Sequence, residues 1–84
     1  MEARKPRSGE VRSIESVDGR TVIAIVQRPD GLFECHEDIL LTDDEYDVTY
    51  WNACEGPLQG LFASVDAAEY EMRAGMPHLF HSLS

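Results

Sequence analysis

Apolar and polar residues follow one another in short strand-like runs over the first half of the chain and in helical spacing near its end. Val11 to Val17 is a modest strand pattern ending at Asp18-Gly19, a dipeptide that favours a two-residue hairpin with positive φ at both central positions. Thr21 to Gln27 (TVIAIVQ) is the strongest strand by its β-branched content. Pro29-Asp30-Gly31 reads as a second turn, and Leu32 to Glu37 as a third strand. Ile39-Leu40-Leu41 fits either an extension of that strand or a separate short element. Thr42 to Glu45 is a charged turn, and Tyr46 to Trp51 alternates as a fourth strand with Tyr46, Val48 and Tyr50 on one face and Trp51 on the other.

Asn52 to Gly60 has the glycine and proline content of a loop, and Ser64 is a good N-cap for a helix over Val65 to Ala74. Asp66 sits in the first turn, where the helix dipole favours an acid, and Val65, Ala68 and Met72 share one side. Gly75 and Pro77 are stop signals. Met76, Leu79, Phe80 and Leu83 form a second short apolar stripe, an unusual ending for a chain, and are expected to dock on something. The predicted fold is α+β: an antiparallel β-meander of three to four strands with one C-terminal α-helix packed on one face (ββββα) and a short apolar tail. Residues 1–9 read as a flexible basic arm and residues 10–84 as a single small domain.

The second strand is apolar on both sides, with Ile23 and Ile25 on one face and Val22, Ala24 and Val26 on the other. A strand with one solvated face alternates instead. One helix covers one face, so the other needs the tail, the 39–41 run or a second copy of the chain. A homodimer is the expected solution, because small domains gain much from shared burial.

Composition narrows the function without naming it. The 84 residues carry a net charge of −9, with 43% apolar and 27% charged residues, an ordinary globular balance in one domain. There is no apolar run long enough for a transmembrane helix, and Met1 to Glu10 has no apolar signal core, so a soluble cytoplasmic domain is expected. Basic residues concentrate in Arg4, Lys5, Arg7 and Arg12, while beyond residue 12 only Arg20, Arg28 and Arg73 oppose fourteen acids. So acidic a body repels phosphate backbones, which excludes nucleic-acid binding by the folded part.

Chemistry-bearing residues are sparse. Cys35, Cys54, His78 and His81 are the candidate zinc ligands, but their spacing matches no common zinc motif, and adjacent Cys35 and His36 point to opposite faces of a strand. The acids Asp43, Asp44, Glu45 and Asp47 fail the calcium-loop pattern, which requires Gly at its sixth place and Glu at its twelfth. Cys35 beside His36 is adjacency rather than a catalytic pair, and Glu34, Glu37 and Asp38 read as strand-surface carboxylates. No nucleotide-binding or serine-hydrolase motif is present, so no enzyme activity and no cofactor is expected. The run from Gly60 to Glu69 resembles the closing strand-to-helix junction of many small bacterial domains, a likeness that carries no activity with it.

Tyr46 and Tyr50 are expected to fill the core, leaving Trp51, together with Met76, Leu79, Phe80 and Leu83, as contact residues for a partner. The expected function is a protein-interaction or accessory module acting as a homodimer. The alternatives are a zinc- or thiol-dependent protein using Cys35, Cys54, His78 and His81, and an acidic mimic that binds a basic nucleic-acid-binding partner.

Overall fold

The computed structural model describes residues 4–80. Strands β1 (Glu10–Glu15), β2 (Thr21–Gln27), β3 (Phe33–Asp43) and β4 (Val48–Ala53) form one antiparallel sheet in the order β1-β2-β3-β4. Helix α1 (Val65–Gly75) and a short helix α2 (Pro77–Phe80) follow. The ββββα architecture expected from the sequence is the one observed, and Ile39 to Leu41 continue β3 rather than forming their own element. No helix among the described residues is long and apolar enough to cross a membrane.

The first turn differs from its expected form. Ser16 N–H donates to Thr21 O at 2.8 Å and Gly19 N–H to Ser16 O at 3.0 Å, so the hairpin closes through a connection longer than two residues. Gly19 has φ of 72°, whereas Asp18 is not in the left-handed region. The Asp18 carboxylate explains this. It accepts from the Ser16 hydroxyl at 2.6 Å and from Arg20 N–H at 3.0 Å, and so it organises the turn through its side chain. At the second turn the chain behaves as expected, with Gly31 N–H donating to Arg28 O and Leu32 N–H to Asp30 Oδ1.

One sheet face carries the core. Ile14, Ile23, Ile25 and Cys35 pack against Ala68 and Met72 of α1, with Phe33, Leu58, Phe62, Val65, Met76 and Phe80 around them. Ser64 accepts from Ala67 N–H at 3.1 Å and caps α1 as its sequence predicts. The tail is fixed on the same side: Val17 N–H donates to Leu79 O at 2.8 Å, and Arg73 lies over the Phe80 ring at 5.5 Å. Helix, tail and loop 54–62 thus all serve one face.

The opposite face has another cover. Glu10 pairs with Val26 across β1 and β2, and Asp38 pairs with Val22 across β2 and β3, so both carboxylates rise on the Val22–Ala24–Val26 side. Arg4 bonds Glu10 at 2.6 and 3.0 Å and Asp38 at 2.8 Å. A guanidinium that touches both acids lies across β2, above Ala24. Arg7 adds a bond to Asp38 at 2.5 Å and one to Glu37 O at 3.3 Å. The chain reverses at Ser8-Gly9, where Glu10 N–H donates to Arg7 O, and Gln27 N–H donates to Gly9 O at 3.0 Å. Gly9 has φ of 79°, and a Cβ there would stand 3.2 Å from Gln27 O and 3.4 Å from Val26 Cγ1, so glycine is required for this close approach. Residues 4–9, read from the sequence as an arm, are the shield of the second face, and Val22, Ala24 and Val26 are buried without a second copy.

Candidate interaction surface

Strand β3 is used in two halves. Residues 33–39 pair with β2, while residues 38–43 pair with β4, so the two partners overlap only at Asp38 and Ile39. On the side of β3 away from β2, its first half is bonded by the loop that follows β4. Cys54 N–H donates to Glu37 O at 3.0 Å, Leu58 N–H to Cys35 O at 2.7 Å, and Phe33 and Phe62 exchange both backbone bonds. The β3–β4 hairpin therefore projects past the part of the sheet that α1 covers, since α1 packs across β1, β2 and the nearer part of β3.

This displacement overturns the expectation that Tyr46 and Tyr50 fill the core. Tyr46 is 71% exposed, Val48 48% and Tyr50 38%, and Leu41, which pairs with Tyr50, is also exposed. Leu41, Val48 and Tyr50 share the α1 side of the hairpin but lie beyond the core cluster. On the reverse side Trp51 pairs with Leu40 and is half-buried. The tip is a compact acidic turn. Asp43 Oδ1 accepts from Glu45 N–H at 3.0 Å and Tyr46 N–H at 3.4 Å, and Asp47 adopts φ of 52°. Asp44, Glu45 and Asp47 are exposed beside Tyr46 in this turn.

The other residues singled out by sequence take structural positions or lie apart. Met76 and Phe80 pack on the core and Leu79 holds Val17 through its carbonyl, while Leu83 and His81 lie outside the described residues. Cys35 is buried beneath α1, and burial followed by the charge of Glu34 pushes its thiol up to about 11. Burial, then Glu37 and Asp38, also raise the Cys54 thiol, with Arg7 opposing. Both thiols are therefore protonated at neutral pH and poor nucleophiles. Cys35, Cys54 and His78 are not brought together, and among the described residues no group of three or more His, Cys, Asp or Glu is placed to hold a metal ion. Glu34 lies 3.5 Å from His36, whose Nδ1 is buried without a partner.

Two features escape a reading of the sequence alone. The acids that capture the arm, Glu10 and Asp38, are separated by 28 positions, and only strand register places them on one face. The exposed hairpin face alternates as a buried strand does, so periodicity alone does not tell solvent from core. Comparison with known protein families, with curated proteins and with solved structures finds no match.

Proposed function

We propose that the chain is a protein-interaction module whose contact surface is the β3–β4 hairpin. The observation that carries this is the set of Leu41, Tyr46, Val48 and Tyr50, exposed together on a hairpin that projects beyond the helix. Large apolar residues grouped on the surface of a small domain mark a contact site more often than scattered ones do, and tyrosines are enriched at the energetic centres of interfaces. The arm already lies on the Val22–Ala24–Val26 face, so a partner is not needed there, and this supports placing the contact on the hairpin. A photo-crosslinking residue placed at Tyr50 in the cell of origin tests the reading, with one at the exposed Tyr70 of α1 as the off-surface control. The expected result is a discrete adduct from position 50 that disappears with Leu41→Ser and is absent from position 70. No adduct, or the same adduct from both positions, contradicts it.

A further inference from the structure

The two edges of the sheet are built differently. β1 carries a register shift between Glu10 and Arg12, and its exposed residues include the charged Arg12 and Glu15; bulges and charges are the usual devices that keep an edge from pairing. β4 has none of these. Its register against β3 is unbroken over six residues, VTYWNA, with no charge, no proline and no bulge. Cys54 N–H points inward to Glu37 O, and Leu40 N–H points away from β4 to Arg20 O. By alternation Tyr50 and Asn52 face β3, while the N–H and C=O groups of Thr49, Trp51 and Ala53 face outward. Among the described residues nothing bonds this edge.

A regular, uncharged edge beside an apolar stripe is the form of a strand-addition site. Charge selects what is added. A second copy pairing antiparallel about Trp51, so that the outward groups of Thr49 meet those of Ala53, brings Asp47 of each copy opposite the other's Glu55. Two such like-charge pairs in one symmetric contact oppose self-pairing. A basic strand meets the same acids with attraction.

We infer that β4 accepts an extended segment of a partner protein in which apolar residues alternate with Lys or Arg. The apolar side chains lie along Val48 and Tyr50, and the cations lie near Asp43, Asp44, Glu45, Asp47 and Glu55. This rests on the interaction reading above and specifies its partner.

The test titrates a short synthetic peptide alternating valine and lysine into isotope-labelled chain, followed by amide NMR. Three controls accompany it: the glutamate counterpart, a form with N-methyl groups on the edge-facing amides, and the variant Thr49→Pro, which removes only an outward N–H. The expected result is saturable shifts centred on Thr49, Trp51 and Ala53, with affinity that falls as salt rises. N-methylation weakens binding about tenfold, and the glutamate peptide does not bind. Thr49→Pro loses binding with its melting curve unchanged; because N-methylation leaves the protein itself untouched, that arm stands even if the proline variant unfolds. Equal binding of both charge forms, indifference to N-methylation, no binding of the lysine peptide, or β4 shifts that grow with chain concentration alone each overturn strand addition. If any of these occurs while the Tyr50 adduct persists, the interaction reading survives with a different docking mode. Peptide binding without the adduct supports strand addition at β4 and contradicts the cellular partner contact proposed above.

Discussion

Replacing Asp38 by asparagine probes the cover of the second sheet face most sharply. The substitution keeps volume and one acceptor but removes the charge that two guanidiniums share, on a side chain only 4% exposed. With the arm still in place, Glu10 is the one carboxylate left to Arg4 and Arg7, and breaking a buried pair in this way costs about 3–5 kcal/mol. The arginines escape that cost by leaving with the arm for water. Departure re-exposes Val22 and Val26, at about 1.5 kcal/mol each, so the cheaper route sets the loss at about 3 kcal/mol. A domain of this length holds about 4–13 kcal/mol in total, and a loss of about 3 kcal/mol lowers Tm by about 12–24 °C. Thermal and urea unfolding followed by circular dichroism measure it. A double-mutant cycle with Arg7→Ala should give a coupling above about 1 kcal/mol. Unfolding of the Asp38→Asn variant within about 2 °C of the parent, or additive single changes, refutes the arm as a cover.

The exposed pair of Arg12 with Asp66 provides a contrast: Asp66→Asn should change stability by less than about 1 kcal/mol. Burial raises the Glu10 carboxyl, but bonds from the Arg4 guanidinium and the Arg7 backbone N–H outweigh it and leave it below its ordinary 4.5. A depressed carboxylate stabilises the fold above its unfolded value and loses that contribution as pH falls through the folded one. The urea midpoint should therefore hold from pH 8 to about 5 and fall below about 4.5, with a shallower fall in Arg4→Ala. Leu41→Ser on the open hairpin should cost less than about 0.5 kcal/mol, against about 2–5 for Ile25→Ala in the core, and unfolding titrations of the two variants compare them directly. Iodoacetamide at neutral pH should modify half-buried Cys54 first, with Cys35 reacting only as the whole domain opens; equal rates by mass spectrometry contradict the burial of Cys35.

Local signals carried the fold. β-Branched content placed β2, Pro29-Asp30-Gly31 placed the second turn, and Ser64 with Asp66 placed the start of α1, because each depends on residues adjacent in sequence. Of the tail stripe, Met76 and Phe80 lie on the core. What stayed hidden depends on pairing at a distance. Nothing adjacent in sequence says that the two halves of β3 take different partners, yet those partners decide that Ile23 is buried and Val48 is not. Arg4 and Arg7 read as solvated charges because their acids, Glu10 and Asp38, converge only once three strands are in register. The two-sided β2 correctly signalled a second cover, but apolar patterning does not reveal a cover made of arginine stems and a glycine turn.

Residue-resolved amide hydrogen exchange on the chain alone tests the central claim, that both faces of β2 are covered from within and the β4 edge is left open for a partner. The account predicts slow exchange from Val22 to Val26, protection at Tyr50 and Asn52, and near-unprotected exchange at Thr49, Trp51 and Ala53 whatever the protein concentration. Protection of all six β4 amides that strengthens with concentration would contradict it, by showing that a second copy of the chain already occupies the edge.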